Sequence, residues 1–232
     1  MKAVVESKSV RIWYRALAAA YFSVAVFEIV AEFLKEKPLI MATKPLLMPL
    51  MIVLYLHTSK RRNPYFVTAL FFSWIANMLF VSTDFNYIIT GTLFFTAYRV
   101  LVIFIVVRHI KIPGVIPLFI GCLPFLFIYL FTINLTYEEQ QDGFWLFLLQ
   151  GIFTIIFGGL SLGSYIFKSN RANTYLLIST MLFTFTQFLF VIRLFYTINI
   201  FQPLAMLLYV VGQFLLFKFL IIEEKKLAQN QN

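Results

Sequence analysis

The chain has little charge, one cysteine and two histidines, and these shortages already exclude several classes of protein. Only 12% of its 232 residues are charged, whereas 61% are hydrophobic, and the mean hydropathy is +0.87. An average soluble domain is about 25% charged and about half apolar, because its surface has to contact water. A soluble enzyme domain, a disordered chain and a nucleic-acid-binding domain are therefore excluded, which leaves a protein that crosses a membrane several times.

Sequence motifs typical of soluble enzymes and of metal sites are also missing. Cys122 is the only cysteine, so no disulfide can form within the chain. The histidines, His57 and His109, have no Cys, Asp or Glu at ligand spacing. Glycine-rich phosphate loops, the paired-histidine zinc motif and the serine nucleophile motif are not found. We therefore expect no metal site and no cofactor.

Eight apolar runs divide the sequence, each long enough to cross roughly 30 Å of hydrocarbon at about 1.5 Å per residue. The alternation typical of membrane β-strands is not found. The sequence thus predicts an all-α, polytopic membrane protein, with residues 1–232 forming a single integral membrane domain. The predicted transmembrane helices cover residues 12–31, 38–56, 65–82, 86–107, 115–134, 143–167, 173–192 and 199–222.

The distribution of Lys and Arg predicts the orientation of these helices. With the N-terminus in the cytoplasm, only Lys35, Lys37 and Arg193 fall in outside segments, and thirteen bases fall inside. The thirteen are Lys2, Lys8, Arg11, Arg15, Lys60, Arg61, Arg62, Arg108, Lys111, Lys168, Arg171, Lys225 and Lys226. This bias predicts N-in, C-in topology in the cell membrane. It also explains the net charge of +9 without a nucleic-acid partner.

Polar side chains inside or beside the predicted spans are the candidate functional residues, because such groups are costly in hydrocarbon and usually face the interior. The deeper ones lie mostly in the outer half of the membrane, which predicts a polar pocket between helices there. The alternative for some of these residues is a purely structural role: an amide that bridges two helices, or a charged side chain that extends to the membrane interface. The candidates are Glu28, Lys44, Asn77, Asp84, Arg99, Gln150, Gln187, Arg193, Gln213 and Lys218.

Two buried cations, Lys44 and Arg99, require partners at their depth. Glu28 is the natural partner for Lys44, because the first two helices are sequential and the depths agree. That pair can be architectural or functional. Arg99 has no acidic residue at its depth in the sequence, which leaves a bound anionic group or a chain of carbonyls as its partner.

A weak internal similarity relates the two halves of the chain. Residues 76–81 and 186–191 share three identical residues of six and align the amides of Asn77 and Gln187. Helices three and seven run in the same direction, so a four-plus-four (4+4) parallel repeat would place these amides across a central cavity. Chance similarity in a chain so rich in Leu and Phe is the alternative.

The chain resembles the YhhN-like family of eight-helix membrane proteins, which includes lysoplasmalogenases. The motifs that carry the resemblance are Thr43-Lys44-Pro45-Leu46, then Ser73 and Asn77 followed by Gly91-Thr92-Leu93-Phe94-Phe95, and finally Tyr209-Val210-Val211-Gly212-Gln213. The resemblance implies hydrolysis of the vinyl-ether bond of lysoplasmalogens. It also implies a catalytic aspartate after Gly on the third helix and another after Ser on the seventh. Here Ala76-Asn77 and Thr186-Gln187 stand at those positions.

This departure predicts a lipid-binding relative with lost or altered catalysis. Vinyl-ether hydrolysis needs a proton donor and a base, and neither Asn77 nor Gln187 can exchange a proton near neutral pH. The predicted substrate-binding residues are Lys44, Arg99, Gln213 and Glu28, and the expected partner is a membrane lipid or lysophospholipid. The acids nearest to replacing the missing pair are Glu28, Glu32 and Asp84.

Two other functions stay open at the sequence level. A small-solute transporter or channel would fit a duplicated bundle with helices broken by Gly or Pro, and Pro45, Pro49, Pro117 and Pro124 give that idea weak support. A membrane adaptor without a ligand would bury the same polar residues against their neighbours and leave no cavity.

Overall fold

The computed structural model describes residues 2–82, 84–136, 144–196 and 199–229. Over these ranges the chain forms eight α-helices and one turn of 3-10 helix, Asn199–Phe201, and no strand. The prediction of an all-α polytopic membrane protein is thus confirmed. The helices are α1 (Lys2–Leu34), α2 (Lys37–Thr58), α3 (Pro64–Leu79), α4 (Phe85–His109), α5 (Val115–Thr136), α6 (Phe144–Phe167), α7 (Arg171–Tyr196) and α8 (Gln202–Gln229).

Seven of the helices in the described ranges are long and apolar enough to cross a membrane, and α3 is the shorter one. Its 16 residues extend about 24 Å, less than the roughly 30 Å of a hydrocarbon core. The sequence predicts this helix over residues 65–82, and its C-terminal end is wrong by three residues. The helix ends early because the N–H groups of Val81 and Ser82 bond to Met78 and Leu79 in tight turns.

Most other predicted boundaries differ from the helix ends by at most four residues. The exceptions are α1, which begins ten residues before the predicted start at residue 12, and α8, which ends seven residues after the predicted end at residue 222. The sixth predicted span begins at residue 143, which lies outside the described residues, and α6 begins at Phe144. The last predicted span includes residues 199–201, which form the 3-10 turn before α8.

Large apolar side chains are exposed along the helices. Val115 is 83% exposed and Trp145 is 81% exposed, and Phe119 and Phe127 on α5 are also largely exposed. Water would make such a surface costly, whereas lipid tails accept it, and most backbone groups of a helix are hydrogen-bonded within the helix. The surface therefore agrees with a chain embedded in a membrane.

The chain divides into two compact units, residues 1–98 and 99–232, with the boundary inside α4. In the first unit, α1 and α2 are joined by only Lys35 and Glu36, with Lys35 in the left-handed region (φ 58°). A connection this short makes the two helices antiparallel neighbours. Tyr21, Tyr55 and Phe66 are among the fully buried side chains of this unit.

The middle of α2 contains two prolines, Pro45 and Pro49, yet the helix continues through both. Pro49 has no N–H group, so it cannot bond to the carbonyl of Pro45 one turn earlier. The indole N–H of Trp74 on α3 donates to that carbonyl at 2.9 Å. The contact satisfies the carbonyl and attaches α3 to α2.

In the second unit, glycines allow α5 and α6 to pack closely. A Cβ atom on Gly121 of α5 would lie 2.7 Å from the carbonyl oxygen of Gly159 and 2.9 Å from the backbone nitrogen of Gly163. On the α6 side, Phe125 occupies the space that a side chain on Gly158 would fill. Small residues at such an interface let backbones approach, which is the usual basis of helix association in membranes.

Polar contacts also join α6 and α7. Asn170 caps α7 by accepting the N–H groups of Ala172 and Asn173. The side chain of Asn173 donates to the carbonyls of Ser164 and Lys168 at the end of α6. These bonds satisfy helix-end groups that would otherwise be unpaired. They fix the turn that positions α7 and its Gln187.

Candidate functional site

A buried group of charged residues lies between α1 and α2 in the first unit. We call it the α1–α2 charge cluster, and it consists of Glu28, Glu32, Thr43 and Lys44. Lys44 Nζ lies 2.7 Å from Glu32 Oε1 and 3.5 Å from Glu28 Oε1. Side-chain exposure is 3% for Lys44, 0% for Glu28 and 9% for Glu32. The predicted Glu28–Lys44 contact is present, and Glu32 is the nearer partner.

The helical geometry explains why these side chains meet. Glu28 and Glu32 are four residues apart and therefore share one face of α1. Glu28 is six residues from the end of α1, and Lys44 is seven residues from the start of α2, so both lie about 10 Å from the connecting turn. The sequence predicts the pairing of Lys44 with Glu28 only; the contact with Glu32 was not predicted, although the spacing of four residues from Glu28 is a signal for it.

Thr43 completes the α1–α2 charge cluster. Its hydroxyl oxygen is in hydrogen-bond contact with Glu28 Oε2 and lies 2.8 Å from the backbone carbonyl of Leu39. Threonine hydroxyls in helices often bond to the carbonyl four residues earlier, as here. The contact with Glu28 is additional and connects the two helices.

Asn77, one of the two predicted catalytic positions, lies on α3 in the first unit. It is half-buried, and its amide group donates to the carbonyl of Ser73, four residues earlier, at 2.7 Å. Ser73 and Ala76 beside it are fully buried. This predicted position therefore holds a neutral amide that donates to a carbonyl of its own helix.

Gln187, the other predicted catalytic position, belongs to a polar centre in the second unit formed with Arg99 and Thr154. Arg99 Nη1 donates to Gln187 Oε1 at 2.6 Å and to the hydroxyl of Thr154. The Thr154 hydroxyl also lies 2.6 Å from Gln187 Oε1. Arg99 is 3% exposed, and the two oxygens named here are uncharged. We call these three residues the arginine–amide centre.

Arg99 and Gln187 are each candidates predicted from the sequence, but their contact was not predicted, and neither was the part of Thr154 in it. The only sequence signal for Thr154 was its position four residues after Gln150, whose carbonyl accepts from the Thr154 hydroxyl at 2.8 Å. Because Ser and Thr in membrane helices commonly bond to their own backbone, the residue type alone does not predict such a role.

A cavity of about 30 Å³ adjoins the arginine–amide centre. Two of its polar lining residues, Thr154 and Gln187, belong to that centre, and Thr132 and Thr184 add two more hydroxyls. Its remaining lining is apolar and aromatic: Phe125, Ile128, Tyr129, Ile133, Phe147, Phe188 and Val191. A polar end beside an apolar wall is the chemistry expected for an amphipathic ligand.

Other predicted residues have local roles. Gln213 is fully buried, and its amide donates to the hydroxyl of Tyr209 on the same helix at 3.3 Å. Asp84 is exposed and caps α4 by accepting the N–H of Asn86 at 2.8 Å. Asp84 is therefore an exposed helix cap and not a buried acid of the kind that the predicted chemistry needs.

Three further candidates complete the set. Gln150 is 3% exposed on α6. Lys218 Nζ lies 5.2 Å from the ring centre of Phe214, a cation–π distance, and Arg193 is half-buried.

The structure thus brings together two groups: Glu28 with Lys44, and Arg99 with Gln187. Asn77 belongs to the first unit and Gln187 to the second. That their side chains face each other stays a prediction.

These features define a multi-pass helical membrane protein with buried polar centres in both of its units. The chain belongs to the YhhN family, whose family model matches residues 39–220. No curated protein and no solved structure matches the chain. The match includes Lys44, Asn77, Arg99, Gln187 and Gln213, whereas Glu28 and Glu32 precede it.

Proposed function

We propose that this YhhN-family protein binds a lysophospholipid in the cell membrane and does not hydrolyse the vinyl-ether bond of lysoplasmalogens. One observation carries the proposal. At the position where the family resemblance implies a catalytic aspartate, the structure has the neutral amide of Gln187, whose oxygen accepts from Arg99. The site therefore keeps a polar centre but has no acid at this position.

The chemistry of the reaction explains why the amides matter. Hydrolysis of a vinyl ether adds a proton to the alkene carbon, which gives an oxocarbenium ion that water attacks. A protonated carboxyl can supply the proton, and an ionised carboxylate can activate the water and stabilise the cation. Asn77 and Gln187 can do neither, because a carboxamide neither gives nor takes a proton near neutral pH.

Arg99 is the group we assign to the lipid phosphate. Its guanidinium is permanently charged and can form two parallel bonds to phosphate oxygens. Lys44, the other predicted phosphate ligand, contacts the carboxyl groups of Glu28 and Glu32 in the α1–α2 charge cluster. Arg99 contacts the neutral oxygens of Thr154 and Gln187, so an approaching phosphate would meet less opposing negative charge there.

The apolar wall of the cavity suits the hydrocarbon part of the same ligand. At about 30 Å³ the cavity has room for about two water molecules and is too small for a whole lysophospholipid. Binding in our proposal therefore requires lining side chains such as Phe188 and Tyr129 to rotate. Such side-chain movements are common when binding sites become occupied.

The experiment combines a catalytic and a binding measurement on the purified full chain. Lysoplasmenyl-ethanolamine is added to the protein in detergent micelles, and aldehyde release is compared with an empty-vector preparation. Lipid retention by the protein is measured in parallel by native mass spectrometry. We expect bound lipid without aldehyde above background. Aldehyde well above background would overturn the loss of chemistry, and the absence of bound lipid would overturn the binding.

The transporter hypothesis receives less support from the helices. It predicts discontinuous helices near the membrane centre. Instead α2 continues through Pro45 and Pro49, and α5 continues through Pro124. Solute-dependent flux in proteoliposomes is the measurement that would favour a transporter over lipid binding.

A further inference from the structure

The α1–α2 charge cluster contains one more acidic group than basic groups. The charged side chains that face Glu28 within the described part of the first unit are Glu32 on its own helix and Lys44 on α2. With both carboxyls ionised the cluster would carry a net charge of −1 while almost completely buried. An uncompensated buried charge is strongly unfavourable, and a group in that situation usually becomes neutral.

The contacts of Thr43 indicate where the extra proton lies. A hydroxyl group has a single hydrogen, and the Thr43 oxygen contacts two acceptors, the Leu39 carbonyl and Glu28 Oε2. A backbone carbonyl can only accept, whereas a protonated carboxyl can donate, so both contacts are satisfied together only when the Thr43 hydrogen goes to Leu39. The contact with Glu28 then needs a hydrogen from the carboxyl group itself.

The two carboxyls also differ in their relation to Lys44. Glu32 lies 2.7 Å from Lys44 Nζ, the distance of a charge-assisted hydrogen bond, whereas Glu28 lies 3.5 Å away. The second oxygen of Glu28, Oε1, is buried and makes this longer ion-pair contact with Lys44, but it has no hydrogen-bond partner within the described residues. An ionised carboxylate would need more partners than this, and a neutral acid needs fewer.

We propose that Glu28 is a protonated carboxylic acid at neutral pH, and that the α1–α2 charge cluster is a binding site for one proton beside a Lys44–Glu32 ion pair. Glu28 donates to Thr43 Oγ1, and Thr43 donates to the Leu39 carbonyl. The inference does not depend on the proposed lipid-binding function, because it uses only residues of the first unit.

Infrared spectroscopy of the full chain at neutral pH tests this assignment. A protonated carboxyl has a carbonyl stretching band that is separate from the amide bands and from ionised carboxylates. We expect such a band in the wild type and its loss in Glu28→Gln. In Thr43→Val the band should shift without disappearing, because the acid loses its acceptor but keeps its proton.

Two further variants separate a proton site from a merely structural role. Glu32→Gln leaves Glu28 as the acid that faces Lys44, so Glu28 should ionise and the band should vanish. Lys44→Met removes the cation, so both acids should be protonated and the band should roughly double. A wild-type band that is absent, or that Glu28→Gln leaves unchanged, overturns the proposal. A band that persists at full strength in Glu32→Gln also overturns it. Each variant is first checked for a monodisperse elution profile.

Discussion

Trp74 Nε1 and the carbonyl oxygen of Pro45 form a hydrogen bond of 2.9 Å that replaces one missing from α2. The residue that would normally bond to this carbonyl is Pro49, which has no N–H group. The proline in α2 and the tryptophan in α3 are therefore energetically linked. Because Pro45 belongs to the Thr-Lys-Pro-Leu motif, the link also holds the segment of α2 that carries Lys44.

A double-mutant cycle tests this link. Trp74→Phe should lower the free energy of unfolding by about 0.5–1.5 kcal/mol from the lost hydrogen bond, in addition to any packing loss. In a Pro49→Ala background the carbonyl of Pro45 regains a backbone donor, so Trp74→Phe should cost less. Unfolding in mixed micelles, followed by circular dichroism, provides the measurement. Equal costs in both backgrounds would show that the two residues are independent.

The close packing of α5 on α6 gives a second prediction. Gly121→Ala places a methyl group 2.7 Å from the backbone oxygen of Gly159, and a backbone atom cannot rotate away as a side chain can. We expect a loss of about 1–3 kcal/mol in the free energy of unfolding.

Gly114→Ala is the matched control for this change. A Cβ atom there would lie 3.8 Å from its nearest neighbour, Pro117 Cδ, which is an ordinary contact. The control should unfold like the wild type in the same assay. If Gly121→Ala were as stable as Gly114→Ala, α5 and α6 would not be as close as the structure has them.

Replacement of Arg99 tests the proposed phosphate site. Arg99→Gln should weaken lysophospholipid binding by about 10- to 100-fold, since charge-assisted hydrogen bonds contribute about 1.5–3 kcal/mol. Arg108→Gln removes the same charge from the exposed end of the same helix and should leave the dissociation constant within about twofold. Titration with a fluorescent lysophospholipid measures both. Equal weakening by the two variants would point to general charge attraction and not to a site at Arg99.

Sequence reasoning predicted the helices well because the hydrocarbon core imposes a length and an apolar composition on each one. It failed at the end of α3, where two N–H groups form tight turns that an apolar residue such as Val81 does not reveal. Helix length there depends on local hydrogen bonding, which hydropathy does not encode.

The candidate site was predictable only in part. Glu28 and Lys44 could be paired from depth and chain adjacency, because a two-residue turn leaves little freedom. The contact between Arg99 and Gln187 could not, since 88 residues separate them and only tertiary packing brings them together. Thr154 was missed because its hydroxyl has a local partner whether or not it also has a distant one.

The most direct test of the proposed loss of catalysis places carboxyl groups at the two positions where the family resemblance implies aspartates. The double variant Asn77→Asp with Gln187→Asp should release aldehyde from lysoplasmenyl-ethanolamine, because carboxyls return to both positions where the family resemblance implies them. A control that combines Asn77→Asp with Gln187→Asn shortens the second side chain equally but keeps it neutral, so it should release none, as the wild type should. Release by the wild type at the rate of the double aspartate variant, or no release by any of the three proteins, would contradict the account.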